Sequence, residues 1–224
     1  MSGYRLRVRY RKAGRLRFLS HLETGRACER SVRRAGLPYA VTQGYNPRMR
    51  IAFGPALPVG TASEAEYYDV VLTEYVPPRR ALDDLASRTV EELAPTATGY
   101  VNEREPSLAA ALTIARYEVR VAVDPDELGK GIEEVLAQGE LTVEHKGRQK
   151  VFDLTEVLPK RPEVSSCEDG ACVTVTVRMG QAGSLRPDVL VKAALVRSGV
   201  DAPATLVTRT DLYVEEGSGW RRPL

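Results

Sequence analysis

The chain has 224 residues, of which 43% are hydrophobic and 28% charged. That allows one large or two small domains with a real core and excludes a disordered, collagen-like or coiled-coil chain. No apolar run approaches the ~18 residues that span a bilayer, no apolar stretch marks a secretory signal near the start, and Cys28, Cys167 and Cys172 make no disulfide framework, so a cytoplasmic protein without a membrane segment is expected.

The net charge of +2 conceals an asymmetry. Residues 1–60 hold 12 Arg and one Lys against only Glu23 and Glu29, whereas residues 61–224 hold 19 basic and 28 acidic residues. Such a split suggests a polyanionic partner for the basic segment. Of the 32 basic residues 26 are arginine, the residue suited to bidentate phosphate contact and to stacking on bases.

In chain order, residues 4–11 alternate strictly: Tyr4, Leu6, Val8 and Tyr10 on one side, Arg5, Arg7, Arg9 and Arg11 on the other, which predicts a half-buried strand. Residues 15–19 read as a second short extended piece. Ser20-His21-Leu22-Glu23 fits a capping box with Ser20 as N-cap, opening a helix over 21–35 that stops at Gly36. Its apolar seam is Leu22, Gly25, Cys28, Val32 and Ala35, with Arg26, Arg30, Arg33 and Arg34 on or near the opposite face. An extended run at 39–42, a turn-rich loop at 43–47, a strand at 48–53, a stiff loop at 54–60 and a long strand at 64–75 follow. Pro77-Pro78 opens a helix to about 93, and 95–101 is a last strand. The order β-α-β-β-α-β is that of the split βαβ, or ferredoxin-like, unit.

Residues 102–107 read as a linker, and the second half repeats the order. Strands are expected at 115–123, 141–145, 171–179 and 205–214, and helices after Asp124-Pro125 and after Arg186-Pro187. Residues 146–165 form an irregular insertion with room for one hairpin. The expected fold is therefore α+β: tandem ferredoxin-like units with antiparallel sheets, a basic one over 1–104 and a second over 105–224.

In such a unit the first strand is central, and helices cover one sheet face. Arg5, Arg7, Arg9 and Arg11 then line the open face about 6–7 Å apart, suited to a nucleic-acid backbone. The competing readings are internal pairing, with Glu64, Glu66 or Asp69 on the neighbouring strand, and cover of this face by the other half of the protein. His21 is a candidate acid/base or stacking group at a helix N-terminus, where anions bind; as a plain surface residue it needs no function. Glu64, Glu66 and Asp69 read as solvated residues or arginine partners. Gly180-x-x-Gly183 ahead of a helix, with Arg186 at its start, is a weak phosphate-turn signal. Cys167 and Cys172 lack a second ligand pair, so neither a metal site nor a cofactor is expected.

The stretches Arg17-Phe18-Leu19-Ser20-His21-Leu22-Glu23, Arg33-Arg34-Ala35-Gly36-Leu37-Pro38, Gln43-Gly44-Tyr45-Asn46-Pro47 and Ala56-Leu57-Pro58-Val59-Gly60 resemble a bacterial radical-SAM-associated domain of unknown function. That family occurs alone or fused behind a B12-binding-type radical-SAM enzyme. This chain has Glu23, Tyr45 and Arg48 where the family usually has Asp, Phe and His. The layout is also similar in outline to CRISPR repeat-processing endoribonucleases. The resemblance implies association with radical-SAM chemistry.

Together with the charge asymmetry it gives the expectation of an RNA-binding accessory module that presents tRNA or rRNA to a separate radical-SAM enzyme. Phosphate contacts would come from Arg5, Arg7, Arg9, Arg11, Arg17, Arg26, Arg30, Arg33, Arg34, Arg48, Arg50 and Arg186, and Tyr45 would stack on a base. The alternatives are a protein-docking partner of that enzyme without nucleic acid, and a metal-independent endoribonuclease with His21 as base and Arg17, Arg48 or Arg50 stabilising the phosphorane.

Overall fold

In the computed structural model, which describes residues 3–145, 147–180, 184–201, 203–217 and 219–224, the alternating segment forms strand β1 (Tyr4–Lys12). Helix α1 (His21–Arg34), strands β2 (Ile51–Phe53) and β3 (Ala62–Leu72), helix α2 (Pro78–Ala86), strand β4 (Pro95–Tyr100) and a one-turn helix α3 (Leu108–Ala111) follow. The chain divides into two units, Met1–Leu112 with Val214–Leu224, and Thr113–Tyr213. The fold is mixed α+β, with mostly antiparallel strand pairing.

In the first unit β1 lies between β3 and β4, and β2 runs along the end of β3. Leu6, Val8 and Tyr10 are buried, as the alternation requires, and pack with Tyr68, Val70 and Leu72 of β3 against Cys28 and Val32 of α1 and Ala81 and Leu85 of α2. Each fully buried aliphatic side chain of this layer contributes about 1.5–3 kcal/mol. Tyr4, at the strand's end, escapes the core and stands 46% exposed.

Three local expectations are corrected here. Residues 14–18 are not extended but form a 3-10 turn, Gly14–Phe18, in which Leu16 N donates to Ala13 O and partly buried Leu16 joins the core. Helix α2 stops at Ala86, because the Ser87 and Thr89 hydroxyls bond back to Asp84 O and Leu85 O, and a separate 3-10 turn, Glu91–Leu93, places Leu93 in the core. Residues 39–42 join the sheet only through single bridges, Tyr39 to Leu72 and Val41 to Met49.

The second unit runs β5 (Leu112–Val121), α4 (Pro125–Ala137), β6 (Glu140–His145), β7 (Arg148–Asp153), α5 (Leu154–Val157), β8 (Glu163–Cys167), β9 (Gly170–Arg178), α6 (Pro187–Arg197) and β10 (Thr205–Glu216). Its sheet order is β10-β5-β9-β8. The strand expected at 141–145 lies outside this sheet: it pairs with β7 as a separate hairpin, and β8, which begins at the end of the stretch read as an irregular insertion, takes the sheet edge instead. The last strand, β11 (Gly219–Arg221), folds back on the end of β10 within the first unit.

Candidate nucleic-acid interface

The start of α1 is built by its own sequence. Ser20 Oγ accepts from Glu23 N at 3.3 Å, and the Glu23 carboxylate accepts from Ser20 N at 2.8 Å, the reciprocal capping box. These Ser20 hydrogen bonds hold the Glu23 carboxyl below its ordinary pKa. His21, the first helical residue, is exposed, and its ring meets Phe53 edge-on at 5.9 Å. Gly25 leaves room for Phe53, whose ring would lie 3.4 Å from an added Cβ. Arg17 sets its guanidinium 4.9 Å from the Phe18 ring centre, and Arg17 O accepts from Gly60 N at 2.9 Å. The segments around residues 17–23 and 56–60, far apart in sequence, are thus neighbours.

The helix then sorts its residues by face. Thr24, Gly25, Cys28, Ser31 and Val32 are buried, and burial pushes the Cys28 thiol up to about 12. At 100° per residue, Arg26, Arg30 and Arg33 fall together on the opposite side, one ridge about 10 Å long by the 1.5 Å rise. All three are exposed, as is Arg34. Among the described residues Arg33 alone of the ridge pairs with a carboxylate, Glu29 at 3.2 Å, an exposed pair of small energetic weight. Leu22, placed in the buried seam by the sequence, is 72% exposed and lies on the ridge side instead.

Beyond α1 the chain makes a pinned loop. Thr42 N donates to Arg48 O at 2.8 Å, Arg48 N to Thr42 Oγ1 at 3.0 Å, and Arg50 N to Ala40 O at 2.8 Å. These bonds close the base of the loop and leave Tyr45 at its tip fully exposed. Arg48 and Arg50 are exposed as well. Arg50 borders two clefts, one of about 520 Å³ that also includes Arg5, Ala52, Asp69 and Ser107, the other of about 620 Å³ along Tyr39, Val41, Gln43 and Thr73.

The arginine row of β1 behaves differently from the expectation of an open face. Arg7 is 1% exposed; its Nε and Nη2 donate to the Asp69 carboxylate at 2.8 and 3.0 Å, and its Nη1 to Pro223 O at 3.1 Å. Arg5 donates to Asp69 at 2.8 Å and to Glu105 O and Pro106 O at 2.7 and 2.9 Å. Arg11 binds Glu91 through its backbone and carboxylate oxygens at 2.7 and 2.8 Å. Arg9 is half-buried. The stretch expected as a linker and the C-terminal residues cover this face, with α3 packed on β2 and β3. A central row of guanidinium groups there is stable because Asp69 and main-chain carbonyls replace water.

Arg186 is exposed at the N-cap of α6 and forks onto Asp188 at 3.0 and 2.6 Å, a local partner. The turn it was read with falls mainly on residues 181–183, outside the described residues. Asp69 serves as an arginine partner, Glu64 is exposed and Glu66 is buried. The three cysteines are free thiols. Among the described residues no group of three or more His, Cys, Asp or Glu is placed to hold a metal ion, and no helix is long and apolar enough to cross a membrane.

Residues 5–187 match the family described as "Uncharacterized protein conserved in bacteria" (DUF2344). The chain belongs to this family. No curated protein matches it. The matched span takes in β1, α1, the pinned loop and Gly60, so the candidate surface lies within what defines DUF2344.

Sequence reasoning missed two things. The partners of the β1 row, Glu105 and Pro223, lie in segments without periodicity, so no local signal announced them. Exposed Phe18, at 57%, and Val59, at 60%, flank the Arg17–Gly60 contact; both were visible only as parts of a motif.

Proposed function

We propose that the first unit of this DUF2344 protein binds structured RNA through the outer face of α1 and the loop that follows it, not through the sheet. The observation that supports this is the Arg26–Arg30–Arg33 ridge, exposed and nearly free of carboxylates, in a stretch (residues 13–60) with eight arginines and two glutamates. Guanidinium groups one helical turn apart on a rigid helix can follow a phosphate backbone without reading bases. Fully exposed Tyr45, with Arg48 and Arg50 at the loop's base, adds a ring on which an unpaired base can stack. In this reading the protein is an accessory module, and tRNA or rRNA presented to a separate radical-SAM enzyme is its cargo, a role suggested by the resemblance of its motifs.

We read both units as split βαβ units. The orders β4-β1-β3-β2 and β10-β5-β9-β8 each put the last strand beside the first and the third on its other side.

The test is a salt titration of binding to total tRNA. Each phosphate contact contributes about 0.7–0.9 to the slope of log affinity against log salt. Replacing Arg26, Arg30 and Arg33 together by Gln should lower the slope by about 2–3 and weaken binding to all sequences alike. An unchanged slope would refute the α1 interface. A second reading, docking to an acidic protein surface, is favoured by the exposed Leu22 on the same ridge and by Phe18 and Val59; binding to a partner that survives nuclease and high salt would support it. The endoribonuclease reading rests on His21 alone, and cleavage lost in His21→Ala with binding retained would be its signature.

A further inference from the structure

The second unit carries an unassigned polar cleft of about 230 Å³. Arg116 on β5 stands opposite Thr176 on β9, and Glu118 stands opposite Thr174. These positions alternate with Tyr117, Val119, Val173 and Val175, all buried, so the polar side chains share the sheet face away from that core. Order β10-β5-β9 places Arg116 on the middle strand, with Thr210 on one side and Thr176 on the other. The Thr210 hydroxyl donates to the Arg116 main-chain oxygen at 3.3 Å, and Thr174 and Thr176 bring the β9 hydroxyls to the cleft.

Among the described residues Arg116 meets no carboxylate and its Nε, withdrawn from solvent, has no acceptor. It is half-buried, and its carbon Cζ lies 5.8 Å from the Tyr213 ring centre. Its neighbours are committed elsewhere: Arg120 holds Glu118 at 2.7 Å, and Arg161 pairs with Glu133 on α4. Thr176 is 3% exposed, and Lys160 and Glu163 stand at the rim. A half-buried guanidinium whose Nε has no acceptor among the described residues, beside the Thr174 and Thr176 hydroxyls of β9, is arranged for an acceptor from outside the fold.

We propose that this cleft binds the phosphate group of a small phosphorylated molecule, with Arg116 as charged donor and the Thr174 and Thr176 hydroxyls as neutral donors. A tetrahedral anion accepts hydrogen bonds from several directions at once, which suits donors converging from neighbouring strands better than a planar carboxylate does. At about 230 Å³ the cleft has room for a single phosphate group rather than a length of nucleic-acid backbone. This site is independent of the α1 surface.

The test is a two-dimensional amide NMR titration of the full chain with inorganic phosphate at constant ionic strength, and separately with a single-stranded oligoribonucleotide. Phosphate should shift the Thr174 and Thr176 amides and the Arg116 Nε–H saturably. Arg116→Met should weaken binding about tenfold or more, and the isosteric Thr176→Val should weaken it several-fold, with spectra still dispersed. If Arg116→Met does not fold, Arg116→Lys and Thr176→Val decide. No saturation at tens of millimolar phosphate, equal affinity in the variants, or shifts confined to α1 would overturn the proposal. Tighter saturation of the same amides by the oligoribonucleotide would also overturn it and make the cleft an RNA contact.

Discussion

Asp69→Asn tests the claim that the β1 arginines are structural. The Arg7 and Asp69 side chains are 1% and 3% exposed, so the substitution takes from a buried guanidinium its nearer counter-charge and leaves it the more distant Glu105 carboxylate. The new amide can accept one of the two bonds Arg7 makes to Asp69 and points a donor at the other. Arg5 retains its bonds to Glu105 O and Pro106 O, so the loss falls on Arg7, whose remaining partners are Pro223 O at 3.1 Å and the Glu105 carboxylate at 3.5 Å. Breaking a buried pair from one side costs about 3–5 kcal/mol. For a chain of this length that lowers Tm by roughly 6–20 °C. Arg7→Met should cost less, about 1–3 kcal/mol, because Asp69 keeps Arg5 and the methionine stem refills part of the space. Urea unfolding followed by far-UV circular dichroism reads both. An Asp69→Asn midpoint equal to that of the unmodified protein, or a larger loss in Arg7→Met, would refute the reasoning. A folded Arg7→Met protein with lost RNA affinity would restore the sheet face as an interface.

Three further outcomes follow from the α1 geometry and the thiols. Ser20→Ala removes one half of the capping box and should cost about 1 kcal/mol in the same assay. Glu23 has a depressed pKa, so its contribution is fully present above the ordinary Glu value of roughly 4.3 and is lost as pH falls through the lower folded value; the stability difference between the unmodified protein and Glu23→Gln should therefore shrink on acidification, and a difference that grows would contradict the capping box. In native protein treated with iodoacetamide, half-buried Cys167 should be alkylated first. Cys172, whose pKa burial and Glu118 raise, should lag, and Cys28, raised to about 12, should react only on unfolding. Mass spectrometry showing native Cys28 modified as fast as Cys167 would contradict the packing under α1.

What could be read in the chain was local. The β1 alternation fixes which residues meet the core, and Ser20 with Glu23 fixes where α1 begins, because both depend on neighbours within a few residues. The 3-10 turn at 14–18 was not legible, since Leu16 and Leu19 have the same spacing in a short strand and in a tight turn, and only contact with the core decides. The hairpin of β6 and β7 was misread for a related reason: β6 has good strand residues, but a strand does not carry the name of its partner. Likewise the cover of the β1 row comes from Glu105 and Pro223, which lie 98 and 216 residues from Arg7.

The same distinction decides which arginines can function. Arg7 and Arg26 are chemically identical and belong to the same basic segment, and composition assigns both to a polyanion. Across from Arg7 the antiparallel register sets Asp69, so its charge is already neutralised and its hydrogen bonds are spent within the fold. Arg26, Arg30 and Arg33 face solvent; of the two acids on the helix, Glu29 pairs with Arg33, and Glu23, three residues before Arg26, is engaged in the capping box. An exposed guanidinium keeps its hydration and rotamer freedom until a partner arrives, whereas one locked on a carboxylate must lose that bond first. On the proposed reading a polyanion meets the exposed arginines of α1, whereas Arg5 and Arg7, bonded to Asp69, stay within the fold.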